Sequence, residues 1–193
     1  VALGNSPALA ITAPGDYTVT ITASNGCEAS ATISITEDVA LPVVNIINTT
    51  GTDVLTCTVT AINLTATVGV SYVWSGGEVG ADLVVTTADS YNVTATGANG
   101  CEASQSIGIT DDNQDPIIAI DNLTNETELT CDLVQVNVIA TGADSYVWTD
   151  ASGAVVGNTA ALSISEPGEY TVEGTSANGC SAVESITITQ NID

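Results

Sequence analysis

The chain has 193 residues, 44% of them apolar, and it carries 23 acidic residues but no Lys, Arg or His. A surface of one charge sign repels nucleic acids and anionic membranes, and no apolar run reaches the roughly 18 residues that a membrane-spanning helix needs. We therefore exclude nucleic-acid binding and membrane insertion, and we expect packed cores because the apolar content is too high for a disordered chain.

One motif occurs three times, in residues 16–27, 89–101 and 169–180. Each copy begins with an acidic residue, has a tyrosine one or two positions later that starts a run of residues alternating between two faces, and ends in Asn-Gly-Cys. Alternation is typical of a half-buried strand, and Asn-Gly favours a two-residue hairpin turn. Each copy therefore predicts a strand, a tight turn, a cysteine and a returning strand, and the three copies indicate an internal repeat.

The repeat divides the chain into three parts. Residues 1–36 are expected to be the C-terminal part of a truncated module, whereas residues 37–110 and 111–193 each have the landmarks of a complete module. The acidic, proline-containing segments 37–42 and 111–116 are predicted to be linkers.

Strands are predicted in the middle module at 43–47, 62–66, 71–74 and 83–87, followed by the hairpin around Tyr91. About seven short strands without any sustained helical period predict a β-sandwich. The predicted fold class is all-β, a tandem array of immunoglobulin-like β-sandwich modules. The last module has extra residues between 150 and 160, which are expected to add a short edge strand.

The aromatic residues are interpreted as structural. Trp74 and Trp148 lie on predicted central strands and are expected in the cores, near a disulfide. Tyr17, Tyr91 and Tyr170 lie at strand entries, which suits a tyrosine corner that ties each strand to the preceding loop.

Five cysteines occur in two contexts, Leu-Thr-Cys (Cys57, Cys131) and Asn-Gly-Cys (Cys27, Cys101, Cys180), and they suggest disulfides in an extracellular setting. Their spacing favours Cys57 with Cys101 and Cys131 with Cys180, and leaves the partner of Cys27 outside the fragment. A bridge between neighbouring modules fits the same count, so the connectivity stays open. Zinc is disfavoured because Cys-x-x-Cys pairs and histidines are absent.

The acidic residues of the linkers are the candidate metal ligands. Asp111, Asp112 and Asp115 fall within six residues at one module junction. Clustered carboxylates suit Ca²⁺, which accepts six to eight oxygen ligands in variable geometry. The alternative is that these side chains are simply solvated.

Little in the sequence supports catalysis. The chain has no histidine or lysine to act as a base and no recognisable nucleophile motif, so it is not expected to be an enzyme. A different function, a carbohydrate-binding or accessory spacer module of a secreted enzyme, would need Trp74 or Trp148 exposed as a stacking surface.

Three short patterns, Leu-Thr-Cys, Ser-Tyr-x-Trp and Ala-Asn-Gly-Cys, each occur twice, and a fourth, Pro-Gly-Glu-Tyr-Thr-Val, occurs once with a close variant at 14–19. Together they resemble the PKD-like and immunoglobulin-like repeats of giant cell-surface adhesins of Bacteroidota, including gliding-motility adhesins. The resemblance implies a stalk segment displayed outside the cell as part of a filament and exported by type IX secretion. It also implies neighbouring repeats of the same chain and the secretion and surface-anchoring machinery as partners.

Overall fold

The computed structural model describes residues 6–191, which form β-strands and no helix. Consequently, none of the described residues lies in a helix that could cross a membrane. The strands are β1 (Gly15–Thr22), β2 (Glu28–Ile35), β3 (Asn45–Asn48), β4 (Val54–Thr56), β5 (Ile62–Thr67), β6 (Ser71–Trp74), β7 (Asp82–Val85), β8 (Asp89–Thr96), β9 (Glu102–Asp112), β10 (Ala119–Asn122), β11 (Glu128–Leu129), β12 (Val136–Thr141), β13 (Ser145–Asp150), β14 (Val155–Gly157), β15 (Ala161–Ile164), β16 (Gly168–Thr175) and β17 (Ser181–Gln190).

Strands β3 to β9 form the first sandwich. One sheet has the order β3-β5-β7, and the other has the order β4-β9-β8-β6. The strand predicted at 62–66 is confirmed as β5, in which Ile62, Leu64 and Ala66 are buried while Asn63 is exposed. These residues pack with Trp74 and with apolar residues of the facing sheet, so both sheets contribute to one core.

Strands β10 to β17 form the second sandwich, which repeats this plan. Its sheets have the orders β10-β12-β15 and β11-β17-β16-β13-β14. The predicted extra edge strand is confirmed: β14 pairs with β13 at the edge of the larger sheet. The larger sheet therefore accommodates the inserted residues outside the core around Trp148.

Strands β1 and β2 form a two-stranded antiparallel hairpin, which we call the N-terminal hairpin. Val19 and Ile21 are 60% and 66% exposed, although the equivalent Val93 and Ala95 of the first sandwich are fully buried. The difference follows from packing, because no second sheet covers this hairpin within the described residues.

The three predicted tyrosine corners are confirmed. The hydroxyl of Tyr17 donates to the carbonyl of Ala13 at 2.8 Å, and Tyr91 donates to Thr87 at 2.9 Å. Tyr170 donates to the carbonyl of Glu166 at 3.1 Å. Each bond spans four residues, so it fixes the entry into the strand locally, as the sequence context indicated.

The Asn-Gly turns differ from the prediction. Ala23 and Cys27 are joined by a backbone hydrogen bond across three loop residues, and Gly26 donates to Ala23. Gly26 has a positive φ of 84°, whereas the φ of Asn25 is not positive. The loop is thus a turn followed by a left-handed glycine, not a two-residue turn with positive φ at both positions. The other two copies have the same backbone bonds.

Candidate functional site

The candidate site is the junction between the two sandwiches, where a disulfide joins Cys57 to Cys180. Its Cα–Cα distance is 5.1 Å, and the bonded residues are 123 positions apart. The favoured pairing within modules, Cys57 with Cys101 and Cys131 with Cys180, is therefore wrong. The alternative, a bridge between neighbouring modules, is the one that forms, while Cys27, Cys101 and Cys131 are free.

Strand geometry explains why the pairing within modules fails. Cys57 follows β4, whose last residue Thr56 pairs with Asp112 at the end of β9, whereas Cys101 immediately precedes the start of β9. Eleven residues of strand separate these ends by about 33 Å at about 3.3 Å per residue. A disulfide needs Cα atoms within about 7 Å, so the two cysteines of one sandwich cannot meet.

The loop that carries Cys180 also holds the linker. The side-chain amide of Asn178 donates to the backbone carbonyls of Asp112 at 3.2 Å and Gln114 at 3.0 Å. Its Oδ1 accepts a hydrogen bond from the backbone N–H of Cys180 at 3.0 Å. One asparagine thus fixes both the cysteine and the segment that enters the second sandwich.

Gly179 lets the loop approach the first sandwich closely. A Cβ atom at this position would lie 2.4 Å from Cγ2 of Thr58, the residue after Cys57. Its φ of +78° also favours glycine. The disulfide therefore forms where the backbone of Gly179 lies directly against the side chain of Thr58.

The same asparagine contact recurs between the N-terminal hairpin and the first sandwich. The amide of Asn99 donates to the carbonyls of Asp38 at 3.2 Å and Ala40 at 2.9 Å, and its Oδ1 accepts from the N–H of Cys101. Both linkers are thus held by the Asn-Gly-Cys loop of the following sandwich. At the first junction the half-buried Cys101 is free.

The predicted metal ligands occupy different environments. Asp111 and Asp112 belong to β9, where they pair with Leu55 and Thr56, so the linker begins two residues later than predicted. The sequence does not predict β4, the strand that pairs with β9 here, because β4 has only three residues. Successive strand residues point to opposite faces, which separates the two carboxylates.

Asp115 lies beside the disulfide. Its carboxylate and the sulfurs of Cys57 and Cys180 are within 4.8 Å of one another, the one such grouping of candidate ligand atoms among residues 6–191. Because the two sulfurs are bonded to each other, they are not available as thiolate ligands. Calcium binding by Asp111, Asp112 and Asp115 stays a prediction.

The carboxylate of Asp150 closes the turn before β14. Its Oδ1 accepts hydrogen bonds from the Ser152 hydroxyl at 2.6 Å and from the N–H of Ala154 at 3.0 Å. These bonds, the hydroxyl first, lower the pKa of Asp150 from its ordinary value of 3.8. Nearby, burial and the charges of Glu166 and Asp150 raise the pKa of Tyr170.

Both tryptophans are core residues, as predicted. Trp74 is 2% exposed and Trp148 is fully buried, and their indole N–H groups donate to the carbonyls of Gly80 and Thr159. The predicted disulfide beside them is absent, because no cysteine belongs to either core cluster. Neither indole can form a stacking surface for a sugar.

Three residues that build the junction were missed in the sequence: Asn178, Gly179 and Thr58. The available signal was the threefold recurrence of Asn-Gly-Cys. Asn-Gly by itself indicates only a turn, and a turn does not require an asparagine side chain whose amide reaches another segment.

No protein-family model matches the sequence, and no curated protein matches it either. Among solved structures, one described as "Structural insight into host cell surface retention of a 1.5-MDa bacterial ice-binding adhesin" is similar with a TM-score of 0.53 and 13% identity, covering 92% of this chain and 74% of that one.

Fibronectin(III)-like modules of Clostridium thermocellum CbhA align over 76% of this chain and 95% of theirs, at 11% identity and a TM-score of 0.37. An amphioxus IgVJ-C2 molecule aligns over 76% of this chain and 96% of its own, at 16% identity and a TM-score of 0.35. At these identities the likeness concerns the fold alone: the chain is an all-β protein of immunoglobulin-like sandwiches.

Proposed function

We propose that this chain is a spacer segment of an extracellular, cell-surface adhesin-type protein, in which covalently joined sandwiches carry a binding region away from the cell. The observation that carries the proposal is the Cys57–Cys180 bridge, which connects two sandwiches instead of stabilising either one. A bridge in this position restricts the orientation of one sandwich relative to the next.

The other junction contacts support the same role. Asn178 holds the linker backbone, and Gly179 lies against Thr58, so the disulfide is one of three constraints on a short connection. Inter-domain contacts within a chain are usually loose and permit relative motion. A connection restrained in three ways suits a spacer that must keep its direction.

The setting is inferred from chemistry and from resemblance. Structural disulfides persist in oxidising compartments, which supports an extracellular location. The sequence patterns resemble repeats of giant Bacteroidota adhesins such as the gliding-motility adhesin SprB, and the similar solved structure belongs to a bacterial adhesin. Gliding motility, type IX secretion, and the secretion and anchoring machinery as partners are the finer parts of this proposal.

A catalytic role is not part of the proposal. The chain has no histidine, lysine or arginine, and its free cysteines lie in loops without a basic side chain to activate them. The 23 acidic residues instead keep neighbouring copies apart in solution.

Small-angle X-ray scattering tests the restrained junction. We expect the double variant Cys57→Ser/Cys180→Ser to give a broader distribution of interatomic distances than the wild type, because the sandwiches reorient more freely. Cys131→Ser is the matched control, since it removes an exposed thiol outside the bridge. Identical distributions for all three proteins would contradict a spacer restrained by the disulfide.

Surface location is tested in the organism that encodes the chain. Antibodies raised against the purified chain should label intact cells, and external Glu-C protease should remove the label; trypsin should not cut within the chain because it lacks Lys and Arg. Labelling only after permeabilisation would refute an extracellular role. Glycan-binding assays on the purified chain should be negative, whereas specific binding would favour the accessory-module function.

A further inference from the structure

We propose that Cys131 is one half of a second inter-module disulfide, and that its partner is the Asn-Gly-Cys loop of another module of this type. In a solution of this chain, that loop is supplied by Cys27 of a second copy. The inference goes beyond the spacer role, because it assigns a covalent docking site and its occupant.

The turn around Cys131 has the same conformation as the turn around Cys57. Thr56 Oγ1 accepts from the N–H groups of Thr58 at 3.3 Å and Val59 at 3.0 Å. Thr130 Oγ1 accepts from Asp132 and Leu133 at the same two distances. Since Cys57 forms a disulfide in this setting, the exposed Cys131 is held ready for an equivalent bond.

The loop around Cys27 matches the loop that supplies Cys180. Asn25 Oδ1 accepts from the N–H of Cys27 at 3.1 Å, and Asn178 Oδ1 accepts from Cys180 at 3.0 Å. Gly26 and Gly179 have φ values of 84° and 78°. Within residues 6–191, no heavy atom lies within 4 Å of a Cβ built on Gly26, so this glycine has no counterpart of the contact that Gly179 makes with Thr58.

The positions of the two half-sites dictate linear growth. Leu129, two residues before Cys131, pairs with Gln190 at the end of β17, while Cys180 precedes the start of that strand. The open half-site thus lies at the opposite end of the second sandwich from the bridge already formed. A contact between two different surfaces that does not close on itself gives head-to-tail chains.

The bond forms by thiol–disulfide exchange with a small-molecule disulfide such as oxidised glutathione. The Cys131 thiolate attacks glutathione disulfide and releases one glutathione thiolate, and the Cys27 thiolate then displaces the second. Two thiols of the protein are oxidised, one glutathione disulfide is reduced to two thiols, and the two protons go to the released thiolates or the buffer.

Acidic side chains distinguish the proposed Cys131–Cys27 junction from the Cys57–Cys180 junction. Asp132 stands where the first sandwich has Thr58, and Glu28 follows Cys27. The two carboxylates repel when the half-sites meet, and salt screens this repulsion. Pairing between copies should therefore increase with ionic strength.

The experiment uses two variants that both keep the Cys57–Cys180 bridge. The acceptor variant, Cys27→Ser/Cys101→Ser, retains Cys131, and the donor variant, Cys101→Ser/Cys131→Ser, retains Cys27. Each variant alone and their equimolar mixture are incubated in a glutathione redox buffer at low and at physiological salt. Products are measured on non-reducing gels and by intact mass, and bonded peptides are mapped with Glu-C.

Random collision would yield heterodimers at twice the amount of either homodimer. We expect heterodimers to exceed this ratio by about tenfold, which corresponds to a preference of about 1.4 kcal/mol. Gly26→Ala in the donor should reduce the excess, because its new methyl group meets the Cys131 turn. A statistical product ratio, or an excess that Gly26→Ala leaves unchanged, would overturn the proposal without affecting the spacer role.

Discussion

Replacing Gly179 with alanine should open the junction, and Gly100→Ala provides a matched control. The two glycines have nearly equal φ values, +78° and +81°, so both substitutions incur the same backbone strain of about 1–2 kcal/mol. Of the two, only Gly179 has a neighbour that the added Cβ would meet, Cγ2 of Thr58 at 2.4 Å. At Gly100 no heavy atom of the residues that the structure describes lies within 4 Å. Gly179 precedes the bonded Cys180 and Gly100 precedes the free Cys101, so the comparison tests the junction, and the Thr58→Ser substitution described below separates the steric contact from backbone strain.

Forcing a methyl group into such a contact costs a further 1–3 kcal/mol or so. If the disulfide is reduced from a locally opened junction, this energy appears as a difference of about 5- to 150-fold in the reduction rate. The assay follows reduction of the Cys57–Cys180 bridge by dithiothreitol, with thiol labelling and mass spectrometry as the readout. We expect fast reduction in Gly179→Ala and a nearly wild-type rate in Gly100→Ala.

A second substitution tests the cause. Thr58→Ser removes the Cγ2 methyl group but keeps the hydroxyl, which lies 3.2 Å from Thr56 Oγ1. Combined with Gly179→Ala, it should restore most of the slow reduction, and the double-mutant cycle gives the coupling energy directly. Equal reduction rates in the two alanine variants, or no rescue by Thr58→Ser, would refute the steric argument.

Three further outcomes follow from other contacts. Tyr91→Phe removes the hydroxyl that donates to Thr87, and it should lower the unfolding free energy of the first sandwich by about 1 kcal/mol. Urea titrations followed by tryptophan fluorescence measure this difference, and an unchanged unfolding free energy would mean that the tyrosine corner is not stabilising. The lowered pKa of Asp150 means that its stabilisation is present above the ordinary value of 3.8 and is lost as pH falls through the folded-state value. The protection factors of the amides in the Ser152 turn, which correct for the intrinsic exchange rate at each pH, should therefore fall in acid but stay constant in Asp150→Asn. Calcium at the junction should raise the melting temperature at constant ionic strength, and Asp115→Asn should diminish that rise; equal melting temperatures with calcium and with chelator would exclude the metal.

Features set by neighbouring residues could be predicted from the sequence. The alternation in β5 identifies the buried face because side chains point to opposite sides at each step. The tyrosine corners span only four residues, so the strand-entry context suffices. The added strand β14 follows from the length difference between otherwise equivalent modules.

The disulfide partner could not be predicted in the same way. Spacing along the chain does not show that Cys57 and Cys101 lie at opposite ends of β9, because that depends on the parallel pairing of the three-residue strand β4. The role of Asn178 was equally hidden, since its amide contacts residues more than 60 positions away. Local patterns therefore predict the sandwiches, while the junction depends on long-range contacts.

The inter-module bridge also changes how the chain carries tension. Force applied to the two termini passes directly from Cys57 to Cys180, so the segment between them, which holds β5 to β16, is mechanically bypassed. The bonded residues are 123 positions apart, so while the disulfide is intact about 430 Å of chain, at about 3.5 Å per residue, cannot be extended. Both tryptophan-centred cores lie largely within that protected loop. Pulling on the termini therefore loads the N-terminal hairpin and the flanking strands first. The sandwiches extend fully only after the sulfur–sulfur bond is reduced.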